Sequence, residues 1–549
     1  EDHFGYSAAT AGDVNGDGYS DVVIGAPEFD NAHTSGGRVY VYFGSAAGLS
    51  ATPNWTKDEI SSISANERFG YSLATAGDVN GDGYSDLIVG AMSFTSSVSA
   101  SGAGRVFVYY GSASGLPAGA GWSYGYSVEN SGFGYSVSTA GDVNGDGYSD
   151  VIVGAPYTGG ASFDPGSAFV FHGGAGGLNA SPNWQYNNAW SFGILGTSVS
   201  TAGDVNGDGF SDVIIGAPRE INGFSNAGKA IVFHGSASGL PVNPNWTVFG
   251  SQENAFLGQC VSTAGDVNGD GYSDVIVGIW LFSNGNVNEG RVNVYHGSST
   301  GLSTVASWFA ESNNDDALLG TFVSTAGDIN GDGYGDIIAG AAQFTNGQQS
   351  EGKAFAWFGS STGLGANGTP ANADWSVESD LDTNNFGSCV ATAGDVNGDG
   401  YSDVLVSSNV YPYDGYNRTG KVSLYTGSQS GLSTSLAWST ESNQQDAFYG
   451  HSVSTAGDVN GDGYSDVIVG AYNYDNGQTE EGRVYIYHGS STGLSATANT
   501  ISESNSAGAL FGYSVSTAGD VNGDGFSDLL VGGPGWSGIG RVYVFHGSL

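Results

Sequence analysis

Three aspartates and an asparagine recur within nine residues, in the order Asp-x-Asn-x-Asp-Gly-x-x-Asp, immediately before a run of β-branched residues. Residues 456–471, AGDVNGDGYSDVIVGA, are one example. Carboxylates packed this closely repel one another unless something binds them. Oxygens at positions one, three and five, a backbone carbonyl at seven and a carboxylate at nine can wrap one hard cation, while glycine at six permits the sharp turn. Calcium suits this donor set best, because it accepts six to eight flexible oxygen ligands. Magnesium requires a stricter octahedron and zinc favours His or Cys. The EF-hand loop starts the same way but needs a Glu at position twelve and flanking helices, whereas position twelve here is apolar, as at Val469. Asp, Asn and Gly are also ordinary turn formers, so a single copy could be a hairpin without an ion. Nine intact copies argue for the ion.

The expected calcium ligands, with the residue at position seven acting through its carbonyl, fall in nine loops. The first three are Asp13, Asn15, Asp17, Tyr19 and Asp21; Asp78, Asn80, Asp82, Tyr84 and Asp86; and Asp142, Asn144, Asp146, Tyr148 and Asp150. The middle three are Asp204, Asn206, Asp208, Phe210 and Asp212; Asp266, Asn268, Asp270, Tyr272 and Asp274; and Asp328, Asn330, Asp332, Tyr334 and Asp336. The last three are Asp395, Asn397, Asp399, Tyr401 and Asp403; Asp458, Asn460, Asp462, Tyr464 and Asp466; and Asp520, Asn522, Asp524, Phe526 and Asp528. These loops hold 27 of the chain's 54 acidic residues, and nine calcium ions would lower the formal charge from −42 to −24. With only 12 basic residues the protein repels nucleic acid and anionic lipid. At 39% hydrophobic and 12% aromatic residues it is too apolar for a disordered acidic tail.

The loops repeat every 62 to 67 residues across all 549, a period of about four strands. Within a unit, FGYSVSTAGD (511–520) reads as strand A. After the acidic turn, DVIVGA (466–471) reads as strand B, buried on both faces. GRVYIYHGS (482–490) alternates as strand C, and AWSTES (437–442) represents a weaker strand D. Four-stranded antiparallel sheets recurring with glycine-marked turns predict an all-β propeller. Residues 1–549 are expected to form a single propeller, with blades starting near 4, 69, 133, 195, 257, 319, 386, 449 and 511. No apolar run is long enough for a membrane helix.

Three words recur in order, FG at the start of a unit, GDVNGDGYSD in the turn and GAP after strand B, the last at 25–27, 154–156 and 216–218. The chain thereby resembles FG-GAP repeats, the units of the integrin α-subunit propeller and of many bacterial extracellular proteins. That resemblance implies a calcium-binding propeller outside the cell that works in adhesion or ligand binding. Integrin-like propellers have seven blades, so nine turns predict a wider ring, with seven blades plus two repeats or an open array as alternatives. The chain opens on strand A and closes on strand C, which leaves the last blade without an outer strand. Either an upstream segment completes it or the open edge pairs with another chain. The start at Glu1, with Met92 the one methionine, suggests a leader removed or left out.

No catalytic residue is expected. Nucleophile elbows, HExxH words and phosphate-cradling loops are absent from the sequence. His172, His234, His296, His488 and His546 share one slot after strand C with Phe43, Tyr110, Phe358 and Thr426, a pattern of packing. Eight basic residues open strand C, where an ion pair explains them, and seven tryptophans from Trp55 to Trp438 share the strand D slot as gap fillers between blades. Cys260 and Cys389 are expected to be free, buried thiols. The variable B-to-C and D-to-A loops lie opposite the acidic turns, where recognition is expected. The richest is 409–420, with Tyr411, Tyr413, Tyr416 and Arg418 as candidate ligand contacts. The expected partner is an extracellular protein or glycan, with neither nucleic acid nor membrane insertion. A structural subunit of an extracellular layer and a calcium-dependent polysaccharide lyase or hydrolase stand as alternatives.

Overall fold

The computed structural model describes residues 6–17, 19, 21–31, 34–43, 53–58, 66–95, 101–158, 164–189, 192–410, 418–505, 507–519, 526–533 and 541–545. Nine antiparallel sheets follow one another along the chain, each in the order A-B-C-D. Eight have four strands, and the ninth has three among the described residues. In blade 4 the strands are Ser198–Gly203, Asp212–Ala217, Lys229–Phe233 and Trp246–Phe249. Strand A of each blade lies beside strand A of the next, and strand A of blade 9 (Ser514–Gly519) lies beside that of blade 1 (Ser7–Gly12). The sheets therefore close into a nine-bladed ring with strand A innermost, as the repeat count predicts.

Strand B is apolar throughout because both its faces are covered, and all six residues of Asp212–Ala217 are buried. Its glycine answers a tighter constraint. A Cβ on Gly216 would sit 2.0 Å from the carbonyl oxygen of Gly258, and one on Gly154 would sit 2.1 Å from that of Gly196. The glycine of "GA" in one blade thus meets the glycine of "FG" in the next, backbone against backbone. Ser136 and Ser452 tie the same junction by donating to the carbonyls of Gly196 and Gly512 at 2.8 and 2.9 Å.

Tryptophans close the outer part of seven of the junctions. Trp55, Trp122, Trp184, Trp246, Trp308, Trp375 and Trp438 are buried. Each donates its indole N–H, at 2.5 to 2.9 Å, to a carbonyl in the C-to-D turn of the next blade. Trp375 also meets Tyr425 edge-on at 4.9 Å. A buried indole N–H needs such a partner, which is why the slot favours tryptophan over other aromatics. The basic residues that open strand C pair with the end of strand D in five blades: Arg38 with Asp58, Arg291 with Glu311, Lys353 with Glu378, Lys421 with Glu441 and Arg483 with Glu503. Blade 4 has Phe249 at the partner position, and Lys229 turns to the buried Glu220 instead. Cys260 and Cys389 are free as expected, but partly rather than fully buried, because strand A borders the central channel.

Replacing Gly216 by Ala is expected to destabilise the fold by about 1–3 kcal/mol in urea denaturation through backbone overpacking. Trp375→Phe should cost a similar amount, about 1–3 kcal/mol, by orphaning the Ser433 carbonyl.

Candidate metal centre

Each acidic loop leaves strand A through a β-bulge. In blade 4 Thr201 pairs with Val213 and Gly203 with Asp212, so Ala202 is the extra residue and its side chain is fully buried. Gly203 takes the left-handed φ of +76° that turns the chain into the loop. Within the loop of blade 6, Asp328 Oδ1 accepts the N–H groups of Gly331 and Asp332 at 2.7 and 3.1 Å, and Oδ2 accepts that of Gly333 at 2.9 Å. Asn330 Oδ1 accepts from Asp332, and Asp332 Oδ1 accepts from Tyr334, both at 3.1 Å. These bonds recur in blades 2 to 5, 7 and 8, as in blade 2 around Asp78, Asn80 and Asp82.

The aspartate at position nine behaves differently. Asp336 is fully buried, and its two oxygens accept the N–H groups of Ile329 in the loop and Gly359 after strand C, each at 2.7 Å. It clamps the loop to the end of the sheet. Burial pushes Asp86, Asp150, Asp212, Asp274, Asp336, Asp403 and Asp466 up to about 7. The two N–H bonds oppose this shift, and the neighbouring carboxylates at positions one and five add to it.

Neighbouring loops interlock. The Tyr272 ring covers Gly207 of the preceding loop, where a Cβ would lie 2.4 Å from Cε1, and the Ser273 N–H donates to the Asp204 carbonyl at 2.9 Å. The aromatic side chain at position seven therefore has a packing role, beyond the carbonyl that sequence reasoning assigned it. Among the described residues, no three of the acidic, thiol or imidazole groups gather around one point, since the carboxylates are turned onto loop N–H groups. Each carboxylate oxygen keeps a second lone pair, and the loop's side-chain donors are oxygen only and anionic, the chemistry that a hard divalent cation takes. The ninth loop is described only at Phe526 and Asp528, so Asp520, Asn522 and Asp524 lie outside the described residues.

His172, His234 and His296 sit on this face and pack on Gly239, Gly301 and Gly363 of the following blade. Burial lowers their basicity, although the loop carboxylates oppose the shift.

The opposite end of strand A carries a feature that sequence reasoning missed. The residue after "FG" is Tyr6, Tyr71 and Tyr135 in blades 1 to 3, and His451 and Tyr513 in blades 8 and 9. It is Thr197, Gln259, Thr321 and Ser388 in blades 4 to 7. Ring centroids stand 5.3 Å apart for Tyr6 and Tyr71, 5.5 Å for Tyr71 and Tyr135, and 5.2 Å for His451 and Tyr513. Because blade 9 abuts blade 1, these residues form an aromatic arc over five consecutive blades, at the inner rim opposite the acidic loops. Tyr6 and Tyr513 are exposed. Of the four ligand-contact candidates, Tyr411, Tyr413 and Tyr416 lie outside the described residues. Arg418 pairs with Asp446 at 2.7 Å and lies over Phe448, whose ring stacks on Tyr472 beside Tyr513.

The two roles of the loop acids can be separated in chelator. Asp336→Asn should destabilise calcium-free protein by about 1–3 kcal/mol, since an amide N–H₂ then faces a backbone donor. Asp332→Asn should stay within about 0.5 kcal/mol in the same urea titration.

The FG-GAP repeat family matches residues 4–42, 69–109, 133–171, 195–233, 319–357, 386–425, 449–487 and 511–545, eight of the nine units. The unit at 257–295 falls outside these segments although its acidic loop is intact. Among curated proteins the chain is similar to integrin alpha pat-2 of Caenorhabditis elegans, 35% identical over 40% of this chain and 18% of that protein. It is also 34% identical to integrin alpha-V of Gallus gallus, over 40% of this chain and 20% of that protein. Integrin alpha-5 of Xenopus laevis is 30% identical, over 49% and 25% respectively. The alignments thus span a quarter or less of those subunits. A crystal structure of rhamnogalacturonan lyase YesW superposes with a TM-score of 0.45 at 12% identity, covering 96% of this chain and 88% of that one, too distant a likeness to bear on fold or chemistry. With eight units matched over more than half of its residues, the chain belongs to the FG-GAP repeat family.

Proposed function

We propose that this propeller is an extracellular adhesion or ligand-binding module that takes a protein or glycan on the face opposite its acidic loops, with calcium in those loops holding the ring in shape. The observation that carries the reading is the aromatic arc. Tyr6, Tyr71, Tyr135, His451 and Tyr513 line one side of the inner rim, while the matching positions of blades 4 to 7 are small or polar. Tyrosines combine apolar area with a hydroxyl at little conformational cost, which suits recognition. A purely structural ring has no need for this asymmetry. The similarity to integrin α-subunits supports an adhesive role and a location outside the cell.

Calcium would be held by the side chains at positions one, three, five and nine and the carbonyl at seven, one ion per loop and about nine in all. Bound there, it supplies positive charge to carboxylates that otherwise repel. Because neighbouring loops interlock, loss of the ions should loosen the ring and not only the turns.

Two measurements test this reading. Saturating calcium should raise the melting temperature over chelator, by the equivalent of about 2.7 kcal/mol for each occupied loop at a hundredfold excess over Kd. A melting temperature indifferent to chelator overturns the calcium assignment. On arrays of matrix proteins and glycans, Tyr71→Ala/Tyr135→Ala should lose binding at least tenfold at unchanged melting temperature, while Ser361→Arg on the acidic-loop face should bind as the parent. The reverse pattern places the binding face wrongly.

A further inference from the structure

The middle residue of strand C is a blade-to-blade filler. It is Tyr40, Phe107, Phe169, Ile231, Phe355 and Tyr485 in six blades, but Asn293 in blade 5 and Ser423 in blade 7. In each of the two exceptional blades a cavity adjoins the shortened side chain. One of about 290 Å³ is lined by Ser423, Tyr425 and Phe386, and one of about 320 Å³ lies beside Asn293. The larger is opened from both walls, because strand D of blade 4 contributes Val248 where blades 2 and 3 contribute Tyr124 and Tyr186.

We propose that the cavity between blades 4 and 5 is a binding site for a single sugar ring, a site on the outer rim that is independent of the aromatic arc and of calcium. Its walls include Phe249, Phe282, Phe309 and Tyr295, aromatic surface of the kind that the C–H face of a pyranose packs against. Its floor has polar groups without partners. Asn293 is 7% exposed and donates through Nδ2 to the Tyr295 hydroxyl at 2.9 Å, which leaves Oδ1 buried and unpaired. Arg291 Nε is likewise buried and unpaired, its guanidinium held between Phe282 at 4.5 Å and Phe309 at 3.7 Å.

The chemistry selects the ligand class. The Arg291 charge is already met by Glu311 at 3.2 Å, so the cavity offers no net charge to an ion. An unpaired acceptor and an unpaired donor on residues two apart along strand C suit a hydroxyl, which gives one hydrogen bond and takes another. Aromatic walls with a few convergent polar groups, at the lower end of the usual size range of about 300–1,000 Å³, match one sugar residue rather than a longer chain. Phe249, 39% exposed, and Val305, 73% exposed, form an apolar lip at the mouth.

The test uses the full chain with calcium and a panel of free monosaccharides comprising glucose, galactose, mannose, rhamnose and N-acetylglucosamine, read by saturation-transfer NMR. At least one sugar should receive saturation from the protein. Asn293→Phe, which restores the filler used by blades 2, 3 and 6, should abolish that transfer and raise the melting temperature. Val248→Tyr fills the cavity from the opposite wall and keeps the test decisive if the first variant folds poorly. Tyr71→Ala/Tyr135→Ala should leave the signal intact, which separates this site from the arc. Absence of transfer to every sugar, or transfer that survives both filled variants when they also carry Tyr71→Ala/Tyr135→Ala, overturns the proposal and leaves the cavity to water.

Discussion

Blade spacing at the inner rim is set by contact between two backbones. At Gly216 and Gly258, and at the equivalent glycine pairs of blades 1 to 6 and 8, a single methyl group would overlap a carbonyl oxygen, while blade 7 carries Ser407 at this position. This approach brings the hydroxyls of Ser7, Ser72, Ser136 and Ser452 within reach of the next blade's carbonyl, each Trp indole within reach of the next C-to-D turn, and the position-seven aromatics of blades 2 to 9 onto the preceding loop's glycine. Close-packed interiors tolerate little change in separation, so these contacts stand or fall together.

The acidic loops are therefore part of the ring as well as potential ion sites. Asp336 and its equivalents are sealed from water and bonded at both oxygens, whereas Asp328 and Asp332 meet solvent and organise only their own turn. One motif thus combines a buried clamp with solvent-facing carboxylates, and the interlock of neighbouring loops couples each turn to the next blade.

Departures from the repeat are where individuality resides. Position three of strand A is aromatic over five blades and polar over four. The middle of strand C is large in most blades and small in two, and each of those two borders a cavity. Neither pattern alters the fold, because each side chain projects from a strand whose backbone bonds are unaffected. Function on a repetitive scaffold arises from such substitutions rather than from the motif that builds it.

Much was legible in the sequence because it is written in local periodicity. The Asp-x-Asn-x-Asp-Gly turn, the apolar strand B and the 62-residue spacing determine strands, hairpins and blade count, since each depends on residues close in the chain. The tryptophan slot and the cation at the start of strand C were readable as packing and pairing for the same reason. The aromatic arc was missed because its members, such as Tyr6 and Tyr71, lie a full repeat apart and look like one more motif letter. Only ring closure, which sets blade 9 against blade 1, places His451, Tyr513, Tyr6, Tyr71 and Tyr135 on five consecutive blades. Likewise the sequence records Asn293 and Val248 as unremarkable strand residues. The tertiary structure places them on facing walls, and the volume they fail to fill exists only between two blades.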